Sequence, residues 1–470
     1  MIGLVLCGIC FVSVYWATRR NLGLGVALVL AIGYSYGLVR ARFPDGGTHF
    51  TFDSGAIALY LAHFTGTQDA DRTSRSRFVQ PWAMALAAWP VICMMVAAAI
   101  PETQPILVQL VGLRAAAMYV PFIVLGARLR KHDLDQIALA LAILNVLALA
   151  LGLYEFAFGV EAVMPRNRMT DLIYASKDVI AEGESHYRIP GPFQNAHMFG
   201  GVMACSIPFV VHNLENPGRL RVMAWVGVGA AAISVFLCGA RTPVVVLGAT
   251  TAYVLVTLRA RWGTLLAVAL CAGAVAYVVT HVGRFQRFET LADTDMVEGR
   301  VAQSVNVSLF DAMGEYPLGA GLASAFGTSV PFFLQDIARP PIGIESEFGR
   351  ILVEQGIIGL ALWVAFIALS VSRKAAIRET SGVALTFGYA TIAFTWLTTG
   401  LLGAGLLAAI PEASFLFLLS GMRLALVPVV APELSVRQVG VRSAPKLRTA
   451  GLATARRALN APISRTSSPS

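Results

Sequence analysis

The sequence predicts an all-α, polytopic integral membrane protein, and three observations carry that prediction. Hydrophobic residues make up 56% of the 470-residue chain against 13% charged, with a mean hydropathy of +0.68, too apolar for an ordinary water-covered domain. Apolar stretches near or above the roughly 20 residues that cross a bilayer recur along most of the length. Charge falls almost wholly between them.

About 12 transmembrane helices follow in order, near 2–18, 21–39, 78–100, 105–127, 134–153, 192–213, 221–239, 243–258, 263–281, 350–372, 383–405 and 411–430. The first, "MIGLVLCGICFVSVYWATRR", has neither a positive n-region nor a small-x-small cleavage site and reads as a retained span. This arrangement gathers Arg40/Arg42, Arg72/Arg75/Arg77, Arg128/Arg130/Lys131, Arg219/Arg221, Arg259/Arg261 and Arg373/Lys374/Arg378 on one face. The positive-inside rule makes that face cytoplasmic, with both termini inside. Arg19 and Arg20 then fall outside. Asp53–Phe64, "DSGAIALYLAHF", is apolar but short; were it to cross, there would be thirteen spans and an external N-terminus.

Residues 1–430 therefore form one membrane domain, with two large extracytoplasmic loops at about 154–191 and 282–349. The tail at 431–470 carries seven Lys/Arg against one acid, Glu433, and is expected to be a disordered, basic cytoplasmic segment, either lying on anionic headgroups or solvated. The six cysteines, Cys7, Cys10, Cys93, Cys205, Cys238 and Cys271, sit inside apolar runs and read as small hydrophobes, with no disulfide framework or zinc site. The excess of 36 Lys+Arg over 27 Asp+Glu marks cytoplasmic loops and implies no nucleic-acid partner. No nucleotide or metal motif occurs, so no cofactor is expected.

Unusual polar residues converge on the outer face. In "YRIPGPFQNAHMFGG", Pro190, Gly191 and Pro192 enforce an extended turn, and Arg188, Asn195 and His197 follow at a helix N-terminus, an arrangement suited to an anion. Capping by Asn195 with Arg188 reaching headgroups accounts for the same residues. Arg241, in "LCGARTP" between two apolar runs, is costly near hydrocarbon unless paired or facing a polar cavity; an orientation anchor is its plainer reading. In the second loop an amphipathic helix is expected over 299–313, with Arg300 near its start and Asp311 and Glu315 at its end. In "ESEFGRILVEQG", Glu345 precedes Glu347, Arg350 and Glu354, whose spacing equally fits intrahelical ion pairs.

Taken in order, "RIPGPFQNAHMFGG", "LCGARTP", "GRVAQS…EYPLGAGLASAFG" and "ESEFGRILVEQGIIGL" resemble the membrane glycosyltransferase superfamily of O-antigen ligases and O-antigen or exopolysaccharide polymerases. The resemblance runs from about 112 to 363 and extends to "FDSGAIALYLAHF" and "WAMALAAWP" in the exopolysaccharide branch. It implies a GT-C-like fold in the bacterial inner membrane, an active site facing the periplasm, and transfer of an undecaprenyl-pyrophosphate-linked oligosaccharide without metal or nucleotide. It also implies partners such as a chain-length regulator. By resemblance Arg188, Arg241 and Arg300 hold the pyrophosphate, Glu345 and Glu347 supply the base, and Asn195, His197 and Arg350 line the substrate site. Many ligases carry histidine where this chain has Glu345, which favours a polymerase over a lipid A ligase. Transport of a lipid-linked saccharide and a non-catalytic scaffold role remain the alternatives.

Overall fold

The computed structural model describes residues 1–66, 70–97, 103–175, 177–179, 185–259, 262–282, 285, 288, 294–325, 327, 330–373 and 381–425. The expected basic tail at 431–470 lies outside them. Residues 1–428 make one compact unit. In order its helices are α1 (Ile2–Arg20), α2 (Leu22–Arg42), α3 (Thr51–Phe64), α4 (Ala70–Ser76), α5 (Val79–Ala97), α6 (Ile106–Ala117), α7 (Pro121–Arg128), α8 (Lys131–Phe158) and α9 (Asp171–Ala175). A short hairpin, β1 (Lys177–Val179) with β2 (Ser185–Tyr187), precedes α10 (Ala196–Val211), α11 (Arg219–Leu237), α12 (Arg241–Thr257) and α13 (Trp262–His281). Then come α14 (Thr294–Val301), a π-helical stretch at Ala302–Asp311, α15 (Ala312–Glu315), α16 (Glu347–Ser372), α17 (Gly382–Leu402) and α18 (Glu412–Leu424).

The protein is an all-α membrane-embedded bundle. Eight helices among the described residues are long and apolar enough to cross a bilayer, counting α6 and α7 as one. That is fewer than twelve. Each of the twelve apolar runs does contain a helix, but α10, α12 and α18 have only 16, 17 and 13 residues. At 1.5 Å per residue α18 is about 20 Å long, short of the ~30 Å hydrocarbon core. The turn that "RIPGPFQN" was expected to make consumes residues 192–195 and so shortens α10. Apolar side chains face outward along the helices, with Leu147 60% and Val256 79% exposed, as lipid-facing positions are.

Inside, small residues and polar pairs replace the packing drive that lipid cannot supply. A Cβ on Gly421 would lie 1.9 Å from the Ile123 carbonyl oxygen, and one on Gly126 2.2 Å from that of Leu418, so α7 and α18 touch backbone to backbone. Tyr34 on α2 donates to Asn145 Oδ1 on α8 (2.7 Å), and Asn145 donates to Ser206 on α10 (3.0 Å). Cys205 and Cys238 are buried, while Cys7, Cys10 and Cys93 are half-buried and unpaired.

Contacts sort the helix ends into two sets. At one, here the loop end, the N-terminal amine meets Asp45 (2.8 Å), Arg42 donates to the Ala162 carbonyl (3.3 Å), and Gln104 pairs with the Arg339 backbone (2.9 Å each way). At the other, Arg72 pairs with Asp133 (3.0 Å), Arg130 with Asp71 (2.9 Å), and Ser381 with Glu215 (2.6 Å). Because α3 runs the full way between them, beside α1, it changes the expected map. Ser54 at its start donates to the Cys7 carbonyl (2.7 Å), and Gly66 beyond its end lies against Arg19. Arg40 and Arg42 therefore sit at the loop end, not with the other basic clusters, and Arg19 and Arg20 join those clusters. The cause is pairing across the bundle: Asp53, which made the run look too polar, accepts from Arg114 Nε (2.6 Å) and Tyr119 (2.9 Å), and His63 meets Arg128 (3.1 Å).

Candidate functional site

The loop end assembles around the start of α10. After β2 the chain passes Arg188 and turns at Gly191, whose φ of 54° is left-handed and strained for any side chain. Its N–H donates to the buried Glu155 carboxylate (2.8 Å), and the Pro192 carbonyl accepts from Leu38 N–H (3.1 Å). Asn195 then caps α10 by accepting from Met198 N–H (2.8 Å). Its side chain is thus used in capping. His197 is exposed on the first turn, and Arg188 is half-buried with a partner inside the fold.

Gly200 and Gly201 let two more elements approach α10. A Cβ on Gly200 would be 2.7 Å from Cys238 Sγ and from Pro243, so the turn at Gly239 (φ 70°) and the first residues of α12 rest there. Arg241 lies in that turn, between the two contacting residues, and is half-buried and internally partnered. A Cβ on Gly201 would be 2.4 Å from the Glu412 carboxylate of α18. Glu412 was not anticipated. Among the described residues its buried carboxyl group has no hydrogen-bond or ion-pair partner, and Glu347 and Cys205 are its electrostatic neighbours. A carboxyl group on a residue only 6% exposed, with no protein donor facing it, is unfavourable as structure alone. Position 412 reads in sequence as an ordinary acid at a helix start, and no spacing marks it.

Two expected site residues have other work. Glu347 and Arg350 are completely buried. Arg350 donates through Nε (3.1 Å) and Nη2 (2.5 Å) to Glu347 Oε1, and through Nη1 to Glu354 (2.8 Å). Glu347 Oε2 also accepts from Gly405 N–H (2.6 Å) and Leu406 N–H (3.0 Å), and Oε1 from Leu407 N–H (3.2 Å). Five donors thus engage this one carboxylate. Glu347 is a strut that ties α16 to residues 405–407, and Arg350 spends its charge on two acids and is closed to ligand. Three convergent backbone N–H groups explain why two carboxylates tolerate one arginine. The plainer reading of the Glu347/Arg350/Glu354 spacing is what the chain adopts.

Glu345 stays half-buried just ahead of the Ser346 cap, which accepts from Gly349 N–H (3.0 Å), and it has a partner inside the fold. Arg300 has its backbone in α14 but its side chain lies outside what is described. The helix expected at 299–313 is part of a longer run from Thr294 to Glu315, and Leu309 and Met313 of its apolar stripe pack on the core while Val301 is exposed.

A second polar cluster lies under the loops where sequence offered no sign of one. Arg40, His49, Asp53, Arg114 and Tyr119 come together from α2, the turn at Gly46–Phe50, α3, α6 and the α6–α7 link. Burial first, then the Arg40 and Arg114 charges, push the His49 pKa down to about 3, so its imidazole is neutral. No family model matches this chain, and neither does any curated protein.

Proposed function

We propose that the chain is a metal-independent, inverting glycosyltransferase of the bacterial inner membrane that polymerises or ligates undecaprenyl-pyrophosphate-linked oligosaccharide repeats. The observation that carries this reading is the packing on α10 of two neighbours, the Cys238–Pro243 turn that contains Arg241 at Gly200 and the unpartnered Glu412 carboxyl at Gly201, with Arg188 on the turn that leads into the helix. Guanidinium groups keep their charge and grip phosphate oxygens bidentately, which suits a departing pyrophosphate. In this reading a carboxylate takes the proton from an acceptor hydroxyl; the acceptor oxygen bonds to the anomeric carbon as the bond from that carbon to the pyrophosphate oxygen breaks. Glu412 and Glu345 are the two candidates for that base.

The topology in this reading has thirteen crossings, the short helices included, in a GT-C-like arrangement. The loop end faces the periplasm, because Arg19, Arg20, Arg72, Arg75, Arg77, Arg128, Arg130, Lys131 and Arg219 crowd the opposite end. Purified protein incubated with lipid-linked oligosaccharide in detergent is expected to form new glycosidic bonds, and Arg241→Ala to abolish them while the protein still inserts. A transporter would yield no product in that assay, and unchanged product from Arg241→Ala would remove the basis of the proposal.

A further inference from the structure

The strongest unassigned feature is the Arg40/Arg114 cluster. Among the described residues Arg40 has no acidic partner; its Nη2 makes long contacts to His49 Nε2 (3.5 Å) and Met169 Sδ (3.7 Å), and its guanidinium lies 5.3 Å from the ring centre of Tyr36, whose hydroxyl is its one further electrostatic support. Its Nε is enclosed and without a hydrogen-bond partner. Arg114 spends Nε on Asp53, leaving an enclosed Nη2 equally without one. The two guanidiniums lie within electrostatic reach of each other and of His49. With His49 neutral, two arginines against Asp53 leave one positive charge, and enclosed donors without acceptors are costly unless a ligand meets them.

The charge and the walls together define that ligand. One uncompensated positive charge is closed by a singly charged oxyanion, and a planar carboxylate matches the guanidinium fork. Loop segments approach the cluster: Met169 of the first loop touches Arg40, while Phe332 and Phe333 of the second lie 6.1 and 5.7 Å from the His49 ring. Phe333 is 44% exposed. An exposed ring beside a cationic cluster offers a surface for the apolar face of a sugar.

We propose that Arg40 and Arg114 bind the carboxylate of an acidic sugar residue, a uronate, entering from the loop end. The proposal rests on the saccharide reading above and adds the class of sugar. The test is calorimetric titration of the full chain in detergent with trigalacturonate, and with maltotriose as the uncharged counterpart. Wild type is expected to bind trigalacturonate and not maltotriose, and Arg40→Gln to weaken binding at least tenfold with an unchanged size-exclusion profile. Arg40 serves as the main variant because the Asp53–Arg114 pair stays intact in it; Arg114→Gln is scored only if it elutes as wild type does.

Equal binding of the two sugars, wild-type affinity in Arg40→Gln, or binding of inorganic phosphate or anionic-lipid nanodiscs in place of trigalacturonate would each overturn the proposal. Failure here is separable from failure of the glycosyltransferase reading. Bond formation from a lipid-pyrophosphate donor that carries only uncharged sugars tests that reading alone, and Arg241→Ala is expected to lose it while retaining trigalacturonate binding.

Discussion

Glu347→Gln asks most directly whether the buried acid of α16 is a strut or a base. The amide must place its NH2 at one of two sites. At Oε2 it would face the Gly405 and Leu406 N–H groups; at Oε1 it would face Leu407 N–H and both Arg350 donors. Either way at least two buried donors lose their acceptor. At about 1–3 kcal/mol for each, the loss comes to roughly 2–6 kcal/mol, a large share of the ~5–15 kcal/mol that holds a typical protein together. Arg350→Met is expected to be worse, since it leaves two enclosed carboxylates with no cation between them. The assay is thermal unfolding in detergent, with the monodisperse fraction from fluorescence-detected size exclusion as the yield. Both variants should melt well below wild type in that order. A Glu347→Gln protein that accumulates and melts like wild type but makes no polymer would refute the reasoning and return Glu347 to the reacting groups.

Three further outcomes follow from the same geometry. Gly421→Ala pushes a methyl group against the Ile123 carbonyl and is expected to cost about 1–3 kcal/mol or more; Gly8→Ala, with nothing within 4 Å, is the control, and equal melting of the two would contradict backbone contact between α7 and α18. His49 has a folded pKa of about 3 against its ordinary 6.5, so as pH falls below about 6.5 the unfolded chain takes up the proton first and stability declines until about pH 3. The slope approaches about 1.4 kcal/mol per pH unit. His49→Gln should flatten melting temperature against pH over that window, and parallel curves would show that the imidazole is not enclosed. Glu412→Gln is expected to fold and to lose polymer formation by about 10²–10⁴-fold, read as product per unit of inserted protein; full activity would leave Glu345 as the base.

What the sequence revealed depended on how far apart the partners lie. Every apolar run read as a span contains a helix, because hydropathy and helical hydrogen bonding are both local. Asn195 as a cap and Glu347/Arg350/Glu354 as neighbours on one helix were legible for the same reason. The course of α3 from one set of helix ends to the other was not, since the groups that pair with Asp53 and His63 are Arg114 and Arg128, 61 and 65 residues away. Arg40 and Arg42 were drawn to the wrong end by that single omission. Nor could local pattern show that residues 405–407 would close over Glu347, or that Gly201 would bring α10 against Glu412.

One detail of α16 has a mechanical meaning. The helix is broken at Gly356 (φ 71°), where the Pro317 carbonyl accepts from Ile357 N–H (3.0 Å), Ala320 N–H donates to Val353 O (2.6 Å), and Trp89 donates to Gln355 O (3.0 Å). Residues 317–320 are thus wedged into the joint between two shorter rods. The upper rod carries the Glu347 clamp and, through residues 405–407, the approach to Glu412. A displacement of the loop-end segment around Pro317 would be levered into the acid beside α10, giving an occupant of the loops a direct handle on the interior.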